Sequence, residues 1–265
     1  MTETYQRARR PEQKLERRDA ILAAAGELAL RDGVRAVSLA DIAARVGIHK
    51  SALLRYFETR EQIFLELTAQ AWQEWTAELS SALGPAHPVS AGPVSTDSGS
   101  TDPGGAGPGG AGPGGADPGG ADPGILDPGI LNPERVALVA GVFAESFGGR
   151  PLLCDLIAHT PLNLERNVSA EAVRRYKLTS LGAVREAAAL VQRVLPALTV
   201  PECLEFVAAV ASLAGALWQI ANPVPVLAEL YATDPALAGA CVDLTPRLRR
   251  TGEIMLAGLI PSRAV

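Results

Sequence analysis

The sequence predicts an all-α protein with a small N-terminal helical domain, a larger C-terminal helical domain and a disordered Gly/Pro-rich insertion. Three observations lead to this prediction. Apolar residues recur at spacings of three, four and seven in most segments, which indicates amphipathic helices. No segment shows the strict alternation typical of a half-buried strand. Pro133, Pro151, Pro201 and Pro235 each stand where a helical pattern begins, a position that suits proline.

Charge is unevenly distributed along the chain. The 265 residues are 48% hydrophobic, enough for one large or two small domains, and carry a net charge of −5. Residues 1–60 contain 12 Lys and Arg against 8 Asp and Glu, whereas the remainder contains 12 against 21. A basic N-terminal part on an acidic body is expected where one end of a protein meets nucleic acid, although a solvated charged tail gives part of the same pattern.

Capping signals divide the N-terminal part into short helices. Gly33 and Gly47 suit helix ends, Ser38 and Asp41 fit a capping box, and Thr59 is a further N-cap. The predicted segments are a flexible arm at 1–13, helices at 14–32, 38–46, 49–56 and 60–83, a helical domain at 14–60 and a connecting helix at 61–83.

Residues 84–132 are dominated by Gly, Pro, Ala, Ser and Asp, with proline recurring every five residues from Pro103 to Pro133. This composition removes backbone donors, raises the entropy lost on folding and leaves few side chains to bury. It predicts a disordered loop. Because closing a long flexible loop adds little entropic cost, the loop is expected as an insertion between two helices.

The C-terminal domain, residues 133–265, contains only helical patterns. The predicted helices lie at 134–147, 151–159, 169–195, 201–221, 224–232 and 235–260.

Residues 37–57 carry the functional signal. Two short helices joined at Gly47, each with an apolar face, predict a helix-turn-helix whose second helix enters the major groove of DNA. Lys50 and Arg55 have the right chemistry for phosphate or guanine, Ser51 and His49 for base edges or phosphate, and Tyr56 for a phosphate. On spacing alone, an ordinary pair of short helices with a solvated charged face explains the segment equally well.

This segment resembles the helix-turn-helix of TetR-family transcriptional regulators. The resemblance covers residues 14 to about 75 and rests on Gly33, Ser38, Ile42, Ala43, Gly47, Lys50, Leu53, Tyr56, Phe57 and Glu61. It implies phosphate contacts by Ser38 and Tyr56 and by the backbone near Arg60 at the start of the fourth helix, where the helix dipole favours anions.

The resemblance also implies groove contacts from the recognition helix. These would come from His49, Lys50, Ser51 and Arg55. The chain departs from the family pattern at three positions: Leu54 replaces the usual tyrosine, Arg60 replaces lysine, and His49 replaces a serine cap. Histidine is a poor cap, so His49 is expected to be a base-reading or merely solvated side chain.

For the C-terminal domain the resemblance implies a ligand pocket and a homodimer interface. Small residues are expected to bring the helices of a four-helix dimer core together, namely Ala208, Ala209, Ala211, Ala214, Gly215 and Ala216, with Leu248, Ile254, Met255, Leu256 and Leu259 on the last helix; an intramolecular core is the alternative. The candidate pocket residues are Phe143, Phe147, Cys154, His159, Asn163, Trp218, Gln219, Asn222 and Tyr231, each with an ordinary packing or capping role as the alternative.

No catalytic motif, metal spacing or cofactor signature is evident, so the sequence predicts neither an enzyme nor a metal or cofactor site. The charged start and the widely spaced cysteines, Cys154, Cys203 and Cys241, predict a cytoplasmic protein with reduced thiols and no membrane partner.

The expected function is a ligand-responsive regulator, a repressor or an activator, that binds a palindromic DNA operator as a homodimer and responds to a largely apolar or neutral effector. The alternative is a ligand-independent repressor or architectural DNA-binding protein.

Overall fold

The computed structural model describes residues 3–84 and 132–259. Within these residues it contains helices and no strand, which confirms the all-α prediction. The predicted loop at 84–132 lies outside the described residues except for Gly84 and Asn132.

Ten α-helices and two short irregular turns make up the described fold. They are α1 (Glu3–Asp32), α2 (Leu39–Val46), α3 (Lys50–Leu53), α4 (Arg60–Ala82), α5 (Pro133–Gly148), α6 (Pro151–His159), a π-helical turn (Thr160–Leu164), α7 (Ala170–Val194), α8 (Val200–Ala221), α9 (Pro225–Thr233), a 3₁₀ turn (Ala238–Ala240) and α10 (Leu244–Gly258).

Helix α1 begins at Glu3, so the prediction of a flexible arm over 1–13 is wrong from that residue onward. The prediction relied on apolar periodicity, which begins near Lys14. Glu, Gln, Arg and Lys are good helix formers, and a helix rich in them can extend beyond its buried part. Periodicity therefore located the packed portion of α1 and not its start.

Two further boundaries differ from the prediction. Helix α3 ends at Leu53 and continues as a turn through Tyr56, whereas a helix over 49–56 was expected. Helix α10 begins at Leu244, so the helix predicted from Pro235 is wrong over its first nine residues. There the carboxylate of Asp234 accepts a hydrogen bond from the nitrogen of Ala236, which supports a local turn instead.

The helices pack around one continuous core. Helix α4 packs against α1 and α7, α6 against α8, and α10 against α5 and α8. The centre is aromatic: the Trp75 ring lies 4.9 Å from that of Phe147 and 5.6 Å from that of Phe143, and Phe143 lies 5.3 Å from Phe206. Because α4 joins this core to the N-terminal helices, the core positions the helix-turn-helix.

Helix α8 is long and apolar enough by composition to cross a membrane. In the fold it packs on α6, α7 and α10, and its apolar character follows from that central position. Cys154 and Cys203 are buried, Cys241 is exposed, and all three are free thiols.

Candidate DNA-binding surface and effector cavity

Helices α2 and α3 form a tight helix-turn-helix. Ser38 caps α2, and the Asp41 carboxylate returns a capping-box contact, accepting from the Ser38 nitrogen at 2.9 Å. Gly47 then ends α2 with a φ of +71°, a left-handed conformation that favours glycine. The buried side chains of Ile42 and Leu53 hold the two helices against the core.

The outer surface of α3 and of the turn that follows it carries the predicted groove residues. Lys50, Ser51 and Arg55 are exposed, and Leu54 beside them is 44% exposed. This face presents two cations and a hydroxyl around an apolar side chain, a set suited to phosphates, base edges and a thymine methyl group.

His49 caps α3, although histidine is a poor cap, and its predicted base contact stays a prediction. Its Nδ1 lies 3.4 Å from the nitrogen of Ser51 and 2.9 Å from the Ser51 hydroxyl. The imidazole nitrogen replaces the hydroxyl oxygen of an ordinary cap. The hydroxyls of Ser51 and Ser38 are likewise engaged locally, since Ser38 Oγ donates to Asp41 at 2.6 Å.

The Arg60 side chain is turned into the protein. Its guanidinium donates to the backbone carbonyls of Val34 and Val37 and lies over the Phe64 ring at 4.6 Å. The side chain is therefore occupied in holding the loop before α2 against α4. The phosphate contact predicted near Arg60 stays a prediction for the backbone at the start of α4. There the Thr59 hydroxyl caps the helix, accepting a hydrogen bond from the nitrogen of Gln62 at 3.1 Å.

Arg18 on α1 is a positioning residue that the sequence analysis missed. It donates to the backbone carbonyl of Tyr56 at 2.7 Å, forms an ion pair with Glu66 on α4, and lies 4.2 Å from the centroid of the Phe57 ring. These contacts fix the end of the recognition segment, including the half-buried Tyr56. The partners lie 38 and 48 positions along the chain, so no local pattern indicates them.

Three predicted pocket residues lie in the closed core. Phe143, Phe147 and Cys154 are fully buried, and the Cys154 thiol donates to the carbonyl of Phe147 at 3.3 Å. Burial raises the pKa of this thiol to about 12, so it is neutral at physiological pH. These side chains fill the core, and they line neither the cavity beside His159 nor the cavity beside Arg18.

Four other predicted pocket residues line one cavity of about 380 Å³. They are His159, Trp218, Gln219 and Asn222. The remaining wall comes from α6, from the end of α1 with its following loop, residues 29–35, and from Val224. The two other candidates are not part of this cavity: Asn163 is exposed on the π-helical turn, and Tyr231 is half-buried on α9.

Asp155 on α6 is the central polar group of this cavity, and the sequence analysis missed it. Its carboxylate accepts from the nitrogen of Val34 at 2.7 Å and from the amide of Gln219 at 2.7 Å, and it lies 3.2 Å from His159 Nδ1. Burial opposes ionisation, but the hydrogen bonds from His159, Val34 and Gln219 keep the pKa of Asp155 below its ordinary value. The same contact with Asp155 raises the pKa of His159.

A second cavity, of about 230 Å³, lies between α1, α4 and α7. Arg18, Glu66, Arg175 and Tyr176 contribute to its wall. Across residues 3–84 and 132–259, no group of His, Cys, Asp and Glu side chains is arranged to hold a metal ion.

A basic helix-turn-helix held on an all-α body defines a DNA-binding protein of the helix-turn-helix class. Residues 21–67 match the family described as "Bacterial regulatory proteins, tetR family", and residues 126–263 match "Tetracyclin repressor-like, C-terminal domain". These two matches cover most of the chain, and the protein belongs to the TetR family. Members of this family are DNA-binding transcription regulators and not enzymes, as the sequence predicted.

Several solved structures are similar to this chain. They include the fatty acid degradation regulator FadR from Bacillus halodurans (12% identity, 92% of this chain and 96% of that chain covered, TM-score 0.48). FadR from Bacillus subtilis in complex with stearoyl-CoA has 12% identity, with 90% and 97% covered and a TM-score of 0.47. A TetR/AcrR-family regulator from Thermobifida fusca has 16% identity, with 92% and 98% covered and a TM-score of 0.46. Comparison with curated protein sequences gives no significant match.

Proposed function

We propose that this protein is a cytoplasmic, ligand-responsive repressor that binds a palindromic DNA operator as a homodimer and leaves it when a small molecule binds. The observation that carries this proposal is the exposed surface of α3 and of the turn after it, which leads into α4, the helix that enters the C-terminal core. Lys50 and Arg55 supply its positive charge. Helix α4 runs unbroken from Arg60 to Ala82, so a shift in the body changes the position of α3.

The operator symmetry follows from the proposed dimer. Two recognition helices must lie about 34–36 Å apart to enter successive major grooves on one side of the DNA. A ligand that changes this spacing weakens DNA binding, and by linkage DNA weakens ligand binding by the same factor.

The dimer surface is proposed on the outer faces of α8 and α10. Ala211, Ala214 and Gly215 of the predicted small-residue interface point into the protomer's own core, and Leu248 and Leu256 are also buried there. Among the residues on these two helices that stay exposed are Ala208, Ala216, Ile220 and Ile254. Ile220 is 46% exposed and Ile254 is 60% exposed, which leaves apolar area for a partner subunit to cover.

The test is fluorescence anisotropy of the full chain with duplexes from around its own gene, titrated across salt concentrations, with a scrambled duplex as control. We expect sequence-selective binding. Lys50→Ala should weaken it by about 1 kcal/mol and lower the salt slope by about one unit. Arg185→Ala removes one exposed charge from α7 in the body and should leave both quantities unchanged.

Equal affinity for the scrambled duplex at every salt concentration would contradict the proposal. A ligand-independent repressor or architectural protein is the second candidate, because the same α3 face serves either function. One result distinguishes the two candidate functions. If no ligand of the cavity changes the affinity for the operator, the second candidate is favoured.

A further inference from the structure

The 380 Å³ cavity lies at the boundary between the DNA-binding helices and the C-terminal body. One wall consists of residues 29–35 at the end of α1 and in the loop before α2. The opposite wall comes from α6 and α8, through residues such as Asp155 and Gln219. Its volume lies within the usual range for small-molecule sites. An occupant would therefore touch both parts of the protein at once.

Five charged or titratable groups line this cavity, and four of them form two pairs. Arg31 pairs with Asp32 at 2.6 Å, and His159 pairs with Asp155 at 3.2 Å. The contact with Asp155 raises the pKa of His159 and favours its protonated form, although the charge of Arg35 opposes this. Arg35 is the fifth charged group, and within the described residues its guanidinium makes no hydrogen bond and no ion pair.

The uncharged part of the lining is mainly apolar and includes one aromatic ring. Trp218 is half-buried, and Leu152, Pro151 and Val224 complete the apolar wall. Asn222 adds a polar group whose amide donates to the carbonyl of Trp218 at 3.0 Å. Such a wall suits the hydrocarbon or aromatic part of a ligand, while an unpaired guanidinium suits a carboxylate.

We propose that this interdomain cavity binds a small organic carboxylate, with Arg35 holding the carboxylate group and Trp218 packing against the apolar part. This ligand class differs from the largely apolar or neutral effector expected from the sequence. That expectation relied on the scarcity of charged residues in the apolar helical runs. The unpaired charge of this site comes instead from the loop after α1, which folding brings against α6 and α8.

The cavity also supplies a route from ligand to DNA, and this consequence rests on the proposed function. Arg35 follows Val34 directly, and the Val34 nitrogen is held by Asp155 at 2.7 Å. A carboxylate on Arg35 therefore adds a second link between the loop before α2 and the body. By linkage, a ligand that binds this conformation of the loop and the body more tightly than a second conformation changes the affinity of the protein for DNA.

The binding test uses the full chain without DNA. Benzoate, phenylacetate and octanoate are titrated by calorimetry, each against its neutral amide. We expect at least one carboxylate to bind, its amide to bind about tenfold more weakly, and Arg35→Gln to cause a similar loss. Arg175→Gln, which removes a cation from the other cavity, is the matched control and should change nothing.

Two results would overturn the site: no binding by any of the three carboxylates, or carboxylate binding that Arg35→Gln leaves unchanged. Because Arg35 is exposed and has no hydrogen bond or ion pair to lose within the described residues, the variant should fold like the parent chain, which its thermal unfolding checks. A third titration measures operator affinity with and without the bound carboxylate. Binding with unchanged operator affinity would overturn the regulatory consequence alone, and failure to bind any DNA would overturn the proposed function while leaving the site standing.

Discussion

The carboxylate of Asp155 on α6 accepts a hydrogen bond from the backbone nitrogen of Val34 at 2.7 Å, across 121 positions of sequence. The carbonyl of the same Val34 accepts from Arg60 at the start of α4. The residue that precedes the helix-turn-helix is thus held on one side by the body and on the other by the connecting helix. Movement of either helix relative to the other must move or break this loop attachment.

Asp155→Asn tests the attachment directly. An asparagine offers one acceptor oxygen where Val34 and Gln219 now each donate to a separate carboxylate oxygen. One donor loses its partner, so we expect the free energy of unfolding to fall by about 1–3 kcal/mol. Hydrogen exchange at the Val34 amide should accelerate as well.

Asp243→Asn is the matched control for this substitution, because Asp243 is exposed and its side chain makes no capping bond to α10. It should change the free energy of unfolding by less than about 0.5 kcal/mol. Unchanged protection of the Val34 amide in Asp155→Asn would show that the carboxylate does not hold the loop in solution.

The ion pair of Asp155 and His159 predicts a pH dependence of stability. The pKa of His159 is raised in the folded state, so its contribution is complete below the unfolded value of about 6.5 and is lost as pH rises through the folded value. The pKa of Asp155 is lowered, so its contribution is complete above about 3.9 and is lost as pH falls through the folded value. The pair therefore contributes most between these limits.

Urea unfolding of the parent chain and of His159→Gln, measured from acid to alkaline pH, tests the effect. The difference between the two free energies of unfolding should be largest between about pH 3.9 and about pH 6.5 and should shrink toward alkaline pH. A difference that stays constant from acid to alkaline pH would mean that the pKa of His159 is the same in the folded and unfolded states, so that the side chain contributes only through packing.

Arg60→Ala distinguishes a positioning role from a phosphate contact. Loss of the guanidinium leaves the carbonyls of Val34 and Val37 without this donor, and we expect a destabilisation of about 2 kcal/mol. Arg45→Ala removes only an exposed ion pair with Glu27 and should cost less than about 1 kcal/mol.

The salt dependence of operator binding then separates the two roles of Arg60. A side chain that contacts phosphate lowers the salt slope by about one unit when it is removed. A positioning side chain weakens binding and leaves that slope as it was. We expect the second result, and a reduced slope would place the Arg60 side chain on the DNA.

Local signals explain which parts of this structure the sequence predicted. The Ser38 capping box, Gly47 and the first-turn prolines Pro133 and Pro151 act within a few residues, and the helix boundaries that they mark are correct. The predicted start of α1 was wrong because the N-terminal turns of this helix are polar and carry no apolar periodicity.

The site was predictable only where it is local. The predicted groove residues lie within a few positions of one another, on α3 and in the turn that follows it, so their local spacing indicates them. Asp155 gives no such signal, since its partners Val34 and Gln219 lie 121 and 64 positions away and a lone carboxylate in an apolar helix has no distinctive pattern. His159 and Gln219 were selected as polar residues in apolar runs, and the fold supplied the carboxylate that joins them.

The contact between α8 and α6 gives a last prediction, which separates protomer core from dimer interface. A Cβ at Gly215 would lie 3.0 Å from the Ala158 nitrogen and 3.1 Å from Ile157 Cγ2, so Gly215→Ala must displace α6 and should lower the free energy of unfolding by about 1 kcal/mol or more. Gly182→Ala, at an exposed position of α7, meets nothing within 4 Å and should instead gain roughly 0.5–1 kcal/mol from helix propensity. Unfolding of the parent chain and of Gly215→Ala, measured at several protein concentrations, shows whether Gly215 lies inside one protomer or at the subunit interface. A loss that is independent of concentration places Gly215 inside one protomer, whereas a loss that grows on dilution would place it at the subunit interface.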